Sequence, residues 1–433
     1  MGWRAARRGS AEETATTRVA VSRGGNRPTA FLVWMGFLFG VAGVAQFPAT
    51  PAEAQAIDDI SATGGRMRTY YVAAEEVDWD YAPLGIDMNT GKPFEGTAAA
   101  YTQPGPDRIG RIYRKAIYRE YTDGTFATRK PRAQQDEYLG LVGPVLRAEV
   151  GDTIRVVFKN NASRPYSMHP HGVFYEKASE GSMYADNVSH DQKMGAMVPP
   201  GATFTYVWEV PERAGPGPND PSSIVWLYHS HVDEYKDVAA GLVGPIIVAR
   251  HGETNADGTP KDVDREIVAL FTGFNENQSW YVDQNVAAHI SVADQQTLNK
   301  RDNNFADLHM YVAFSGKGFA ETNYKFSVNG YLYGNGPVMT MKQGQRVRWY
   351  LLDVGDVVNF HTPHWLGGNL VNYHHTRTDV FSMLPAGMET ADMVPDVAGL
   401  WVLRCQVDDH MQAGMMARYE VQPAQAAGER SGR

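Results

Sequence analysis

The stretch LRAEVGDTIRVVFKNNASRPYSMHPHG, residues 146–172, contains the pattern on which the fold prediction rests. Its run TIRVVFKN (153–160) is rich in β-branched and aromatic residues, as the strands of a sheet are. A Gly-Asp turn precedes this run, and a pair of histidines follows it. The stretch therefore predicts a strand, a tight turn, a second strand and then two candidate metal ligands.

The same order of features recurs in the second half of the chain. The segment MTMKQGQRVRWYLLDVGDVVNFHTPHW (339–365) again contains a strand, a Gly-Gln turn, a strand and two histidines. Further along, VWLYHSHVD (225–233) aligns with LWVLRCQVD (400–408). Helical periodicity is scarce, and turn signals separate the strand-like runs. This internal repeat predicts an all-β chain with two Greek-key β-sandwich domains.

The overall composition narrows the class of protein. Aromatic residues make up 11% of the chain, and 43 glycines and 24 prolines supply turns, which suits a β protein and not a disordered one. The formal net charge is −9. Nucleic acid, which is also negatively charged, is therefore excluded from the expected partners.

The N-terminal segment has the parts of an export signal. Arginines precede an apolar run over residues 30–45, and Ala-Glu-Ala at 52–54 supplies a small-x-small cleavage pattern. We therefore predict a signal peptide over residues 1–54 and a periplasmic or extracellular protein. An uncleaved membrane anchor is the alternative, although the apolar run is shorter than the about 20 residues that span a bilayer.

The two repeat units set the expected domain boundaries. We predict one domain over residues 55–250, which carries the paired histidines, and a second over 265–424, which carries the single cysteine. The polar segment 251–264 is typical of a linker. The tail 425–433 has the composition of a disordered segment.

The single cysteine of the chain, Cys405, lies in LRCQVDDHMQAGM (403–415), with His410 five residues later and Met415 ten residues later. An exported protein with one cysteine cannot form an internal disulfide. Thiolate, thioether and two imidazoles form the soft donor set of a blue copper site, and His361 is the best candidate for the second imidazole. We therefore predict copper at this site.

Two simpler readings of these residues stay open. Cys405 can be a buried cysteine that merely has a histidine nearby. Met411 and Met416 are alternatives to Met415 as the axial ligand, although packing would explain both equally well.

Four further histidines form two closely spaced pairs, His169/His171 and His229/His231. Side chains two residues apart on a strand point to the same face of the sheet. Four converging imidazoles would repel one another when protonated, so neutral imidazoles that bind copper explain them better than a purely structural cluster does.

These residues resemble the multicopper oxidase family, and its ceruloplasmin-like branch in particular. The matching text includes SRPYSMHPHGVFYEKASEG (163–181), WLYHSHVDEYKDVAAGLVGPIIV (226–248) and FSVNGYLYGN (326–335), and the likeness extends over about residues 66–421. The resemblance implies two cupredoxin-like domains, as in small bacterial two-domain oxidases. It also implies copper as cofactor and a homotrimer with copper sites between subunits.

The resemblance carries over only part of the family's ligand set. In that family four His-x-His pairs hold a trinuclear cluster, and both pairs of the first half are present here. The family's next histidine falls on Leu366, and its His-Cys-His falls on Arg404-Cys405-Gln406. Three of the eight trinuclear ligands are therefore missing.

The resemblance also assigns roles to the remaining residues. His361 matches a type 1 ligand, while His364 and His169 match the type 2 ligands. The type 3 pair keeps His171, His229 and His231 and is incomplete. Cys405, His361 and His364 are the expected electron-transfer residues, with the segment 361–364 as the link between copper sites.

Three hypotheses about function follow. The first is an oxidoreductase that takes electrons from a small reductant or a metal ion at a type 1 copper and passes them to an interface copper, with oxygen as a candidate acceptor. The second is a type 1/type 2 copper reductase similar to nitrite reductases, favoured by the pair His169/His364. The third is a non-enzymatic copper-binding electron-transfer protein, favoured by the missing ligands.

Two acidic residues are candidates for binding a metal-ion reductant. Glu276 and Asp283 lie in NENQSWYVDQN (275–285), and the resemblance implies acidic residues near the blue copper. A solvated surface position is the interpretation that we favour for both.

Overall fold

The computed structural model describes residues 65–301 and 318–424. The predicted signal peptide (1–54) and the predicted disordered tail (425–433) lie outside these residues. The strands of the first half are β1 (Met67–Asp80), β2 (Ile86–Asp87), β3 (Lys92–Pro93), β4 (Ile112–Tyr121), β5 (Leu146–Glu149), β6 (Thr153–Asn160), β7 (His169–Pro170), β8 (Thr203–Glu209), β9 (Ser223–His229) and β10 (Val243–Ala249). Those of the second half are β11 (Arg265–Asn275), β12 (Tyr324–Val328), β13 (Met339–Lys342), β14 (Val347–Asp353), β15 (Pro363–Trp365), β16 (Val371–Tyr373), β17 (Thr376–Thr378), β18 (Met388–Met393), β19 (Gly399–Cys405) and β20 (Met416–Gln422).

The helices in the described part of the chain are few and short. The α-helices are α1 (Gly96–Thr102), α2 (Glu234–Ala240), α3 (Val282–His289), α4 (Val292–Arg301), α5 (Phe319–Thr322) and α6 (Asp408–Gln412). Short 3₁₀ segments occupy Gln134–Leu139, Lys177–Ser179, His190–Ala196 and Glu212–Ala214. None of the helices within the described ranges has both the length and the apolar character that crossing a bilayer requires. The all-β prediction is confirmed.

The repeat in the sequence is a repeat of sheet topology. The first half contains the sheets β4-β1-β6-β8 and β5-β10-β9-β7, and the second contains β12-β11-β14-β18-β16-β17 and β13-β20-β19-β15. In the first half β1 pairs in parallel with β6, and β5 pairs in parallel with β10. The matching pairs of the second half, β11 with β14 and β13 with β20, are also parallel.

Alternation of side chains explains why these segments form sandwiches. In β6, Ile154, Val156 and Phe158 are fully buried, while the residues between them are only partly covered. A period of two directs one row of apolar side chains into the space between two sheets. In β14 all seven residues are buried, because this strand is covered on both faces.

Contacts between the two halves are extensive, and the described residues, 65–301 and 318–424, belong to one compact unit. Arg348 on β14 donates to the hydroxyls of Ser222 and Ser223 at 2.6 and 2.8 Å. Lys115 on β4 and Glu276, next to β11, form an ion pair whose side chains are both fully buried. The boundaries at 55–250 and 265–424 stay a prediction.

Candidate metal centres

The described residues bring metal-binding side chains together in two places. Within residues 65–301 and 318–424, groups of three or more histidine, cysteine or carboxylate atoms that converge to within 4.8 Å occur twice. The first group contains His169, His171 and His229, and the second contains His361, Cys405 and His410. We call the second group the cysteine cluster, and the first, together with the neighbouring His231, the histidine cluster.

The cysteine cluster lies where three separate segments meet. Cys405 ends β19, His410 lies on α6, and His361 comes two residues before β15. The two imidazole Nδ1 atoms are 3.1 Å apart, and the Cys405 Sγ lies 3.9 Å from that of His361 and 3.8 Å from that of His410. All three side chains are at most 1% exposed.

Met415, the fourth predicted ligand, is linked to the cysteine cluster by a backbone hydrogen bond. Met415 is fully buried, and its carbonyl accepts a hydrogen bond of 3.0 Å from the Cys405 amide. This bond holds the chain after α6 against the end of β19. Met416, one of the alternatives, is the first residue of β20.

Neighbouring side chains orient the ligand atoms. His361 Nε2 lies 3.2 Å from Asn359 Oδ1, and since an amide oxygen only accepts, Nδ1 is left as the lone-pair nitrogen that faces the cluster. The Phe326 ring stacks on the His410 ring at 4.2 Å between centroids. The Thr362 amide donates to Cys405 Sγ at 3.4 Å.

The electrostatics of the cysteine cluster fit a bound cation. Burial lowers the pKa of His410 to about 4 and that of His361 well below its ordinary value. Burial raises the pKa of the Cys405 thiol, so a thiolate there calls for a positive charge beside it. Two nitrogens 3.1 Å apart suit two ligands that are each about 2.0–2.1 Å from one ion. This soft donor set fits copper.

One acidic residue beside the cysteine cluster escaped the sequence analysis. Asp353, at the end of β14, is fully buried, and neither of its carboxylate oxygens has a hydrogen-bond partner among the residues that the structure describes. Its Oδ1 lies 3.8 Å from His361 Nε2. Burial raises the pKa of Asp353 to about 8, so its carboxyl is largely protonated at neutral pH.

The histidine cluster is assembled by two neighbouring strands. β7 pairs with β9 so that His169 lies opposite His229. His171 and His229 approach through their Nε2 atoms at 3.1 Å. The rings of His169 and His231 are 4.9 Å apart between centroids. All four predicted first-half ligands therefore lie together.

Burial keeps three histidines of this cluster, His169, His171 and His229, in the neutral form that binds metal. Burial lowers the pKa of His171 to about 4, with the neighbouring histidines adding to the effect. Burial also lowers the pKa of His169, and it lowers that of His229 well below its ordinary value. Neutral imidazoles offer one lone pair each, so the donor set suits copper and other transition metals.

A carboxylate that we did not predict completes this region. Glu234, the first residue of α2, places Oε2 3.2 Å from His231 Nε2 and Oε1 3.6 Å from His229 Nε2. Glu234 could have been identified from the sequence HSHVDE (229–234), because it is an acidic residue three positions after the second histidine.

His364 belongs to neither group. Its Nδ1 lies 2.9 Å from Gln406 Oε1, and its Nε2 lies 3.5 Å from Asp379 Oδ2. Arg404 pairs with His364 across β19 and β15. Arg404 and Gln406, the two residues that we predicted to replace family histidines, thus flank His364.

The expectation of a solvated Glu276 is wrong. Glu276 is 1% exposed, pairs with Lys115 and accepts a hydrogen bond from Tyr81. Glu276 is buried where the two halves of the chain pack together. It therefore cannot contribute to a reductant site on the surface. Asp283, on α3, is exposed as expected.

Comparison with known proteins identifies the family to which this chain is similar. Two family profiles, both described as multicopper oxidase, match residues 138–253 and 306–425, which together are more than half of the chain. Human ferroxidase HEPHL1 is 43% identical over 83% of this chain and 29% of its own length. Mouse hephaestin is 39% identical over 83% of the chain and 30% of its length, and sheep ceruloplasmin is 39% identical over 83% and 33%. The chain therefore spans about a third of the length of these relatives.

Solved structures support the fold. A structure titled as a multicopper oxidase superposes with a TM-score of 0.50 at 20% identity, covering 84% of this chain and 91% of its own. A copper nitrite reductase from Nitrosomonas europaea superposes with a TM-score of 0.50 at 18% identity, covering 85% and 97%. From the two profile matches, the repeated sandwich topology and the two ligand clusters, we conclude that this chain belongs to the multicopper oxidase family.

Proposed function

We propose that the protein is an exported copper oxidoreductase that takes electrons one at a time from a small reductant or a metal ion at the cysteine cluster. One observation carries this proposal: two imidazole nitrogens and one thiol converge within 4 Å in a buried site. His361, Cys405, His410 and Met415 would hold a copper ion there, and the ion would supply the one-electron couple of a type 1 centre.

The surrounding residues provide what such a centre requires. Asn359 holds the His361 ring so that Nδ1 faces the ligand position. The Thr362 amide donates to the sulfur, which stabilises a thiolate. Full burial of all three ligands excludes water and keeps the donors in one arrangement.

The acceptor side of the reaction is proposed at the histidine cluster and His364. The segment 361–364 joins the cysteine cluster to His364 by covalent bonds, and His364 is 23% exposed. A homotrimer would place His364 of one copy near His169 of another, as the family resemblance implies. This copper site has a type 2 pair and an incomplete type 3 set, with oxygen as the proposed acceptor.

Iron(II) is the reductant to test first, because one relative is named a ferroxidase. A small organic reductant is the alternative. Since Glu276 is buried in an ion pair, a reductant site on the surface would have to use other groups.

A reductase with one type 1 and one type 2 copper is the second candidate, and the short link from His361 to His364 favours it. An electron-transfer protein without catalysis is the third, favoured by Arg404 and Gln406 in place of two metal-binding histidines. These candidates differ in copper content and in the consumption of oxygen or nitrite.

Copper counting with absorption and electron paramagnetic resonance spectra tests the proposal on the pure, copper-loaded protein. We expect an intense visible band, more than one copper per chain, and oxygen consumption with iron(II) or an organic reductant. Cys405→Ser should abolish the band. One copper per chain without oxygen or nitrite turnover would contradict an enzymatic role, and a band that survives Cys405→Ser would contradict the site.

Export is proposed to use residues 1–54 as a cleaved signal peptide. N-terminal sequencing of the protein recovered outside the cytoplasm should begin at or near Gln55. An intact N-terminus in the membrane fraction would instead support the anchor alternative.

A further inference from the structure

We propose that Glu234 is a metal ligand, and that it makes the histidine cluster a self-contained site for one divalent transition-metal ion. The inference goes beyond the proposed function, because it requires neither the cysteine cluster nor a second copy of the chain. It also differs from the family pattern, in which the ligands at this site are histidines.

The imidazoles of the histidine cluster are oriented in the way that metal-binding histidines are. His169 Nδ1 bonds the Glu180 carbonyl at 2.6 Å, and His229 Nδ1 bonds the Ser230 carbonyl at 3.0 Å. A carbonyl only accepts, so both Nδ1 atoms carry the proton and each neutral ring has its lone pair on Nε2. His231 Nδ1 lies 3.0 Å from Ser182 Oγ, which holds the direction of that ring. Such second partners fix the tautomer and the ring direction at metal sites.

The Glu234 carboxylate lies beside two of the Nε2 atoms of the cluster. Its two oxygens lie 3.2 and 3.6 Å from the Nε2 atoms of His231 and His229. Among the described residues, these two histidines are the only ion-pair partners that Glu234 has. Ligand atoms that each lie about 2.0–2.2 Å from one ion are about 3–4 Å apart, which fits both separations.

The start of helix α2 holds Glu234 in this place. Asp237 is fully buried, and its Oδ2 accepts from Ser230 Oγ at 2.7 Å and from the amides of Val232 and Asp233 at 3.0 and 3.2 Å. Its other oxygen accepts from Trp280 Nε1 at 2.7 Å. These bonds tie the helix start to the histidine strand, so the carboxylate is presented by a rigid element.

Imidazole and carboxylate together suit copper(II), zinc and other divalent transition metals. The negative charge of Glu234 also compensates part of the charge of a bound ion, which the missing family histidines could not do. A cavity of about 320 Å³ adjoins the cluster and is lined by His171, His229 and Glu234 together with Phe274 and Val354. It leaves room for a small exchangeable ligand on the ion.

The test uses copper(II) alone as the probe and binding as the readout. Cys405→Ser protein, freed of metal by chelator, is titrated with copper(II) by calorimetry and by electron paramagnetic resonance. We expect one ion per chain with nitrogen hyperfine splitting. Adding Glu234→Gln should weaken binding at least about tenfold and shift the resonance parameters.

The matched control is Asp233→Asn, which removes a neighbouring half-buried carboxylate that pairs with Lys236 instead. It should leave the affinity and the spectrum unchanged. If Cys405→Ser does not fold, the titration is done in the otherwise unchanged chain, where copper at the cysteine cluster is tracked by its visible band. Equal affinity and equal spectra for Glu234→Gln, or no binding at this cluster, would overturn the proposal without bearing on the cysteine cluster.

Discussion

The imidazole of His364 is hydrogen-bonded to the side chain of Gln406, with 2.9 Å between Nδ1 and Oε1. Because the amide oxygen only accepts, Nδ1 carries the proton. The family resemblance predicts a metal-binding histidine at the position of Gln406 and a metal ligand at His364. Under that prediction, the residue that replaces one ligand orients the ligand that remains.

Loss of this hydrogen bond should affect the second copper and spare the first. We expect Gln406→Ala to weaken the copper bound at His364 by roughly 10- to 100-fold, since a partner that orients a metal-binding histidine contributes about that much. The visible band of the cysteine cluster should persist. Gln412→Ala, on an exposed residue of the same loop, is the control. A parallel loss of both copper signals would contradict the separation of the sites.

Restoring the family histidines should raise the copper content. The triple change Leu366→His, Arg404→His and Gln406→His adds the missing imidazoles and removes a permanent positive charge opposite His364. We expect more copper per chain by elemental analysis and a new near-ultraviolet band. An unchanged copper content would show that geometry, and not ligand identity, limits the site.

The axial role of Met415 predicts a change of reduction potential. Met415→Leu keeps the buried volume, so its cost in unfolding free energy should stay below about 1.5 kcal/mol. Loss of the thioether should raise the potential of the blue centre, which the axial ligand tunes. Redox titration of the visible band measures this. Met411→Leu and Met416→Leu should leave the potential unchanged; a shift in one of them, with none in Met415→Leu, would reassign the ligand.

The buried pair of Lys115 and Glu276 predicts a pH-dependent stability. Lys115→Met leaves the carboxyl unpaired and should lower the free energy of unfolding by about 3–5 kcal/mol at pH 8. Burial raises the pKa of Glu276 above its ordinary 4.5, so a folded protein keeps the proton longer than an unfolded one. Stability is therefore retained at acid pH and lost as the pH rises through the folded pKa.

Urea denaturation at pH 5 and pH 8 measures this effect. The stability deficit of Lys115→Met should be smaller at pH 5 than at pH 8, and adding Glu276→Gln should remove most of the difference between the two pH values. Equal deficits at both pH values would mean that the carboxyl is not the cause. Copper content should not change in either variant, because the pair takes no part in a ligand cluster.

The site could be predicted best where its residues lie close in sequence. Cys405 ends one strand, His410 lies on a short helix and Met415 comes just before the next strand, so their spacing alone predicts a shared loop. The His-x-His pairs follow from the period of two along strands. Glu234 was missed because its approach to His231 depends on α2 starting at that residue, which a single carboxylate in a polar segment does not reveal.

For Glu276, the sequence predicted a surface position that the structure contradicts. Its segment is polar, and polarity predicted exposure, but the packing of the two halves covers it and supplies Lys115 from a strand 161 residues away as its partner. The sequence around Glu276 gives no indication of such a distant partner.

By itself the sequence determined the β-rich repeat, the donor types and the residues that replace the missing histidines, because side-chain alternation and ligand chemistry are local properties. Tertiary structure alone decided which donors meet: His361 joins Cys405 from 44 residues away, Glu234 turns toward the histidines, and Gln406 bonds His364. These side-chain contacts depend on strand register and on buried packing between distant segments. Such contacts are set by the packing of the whole chain and leave no local signal.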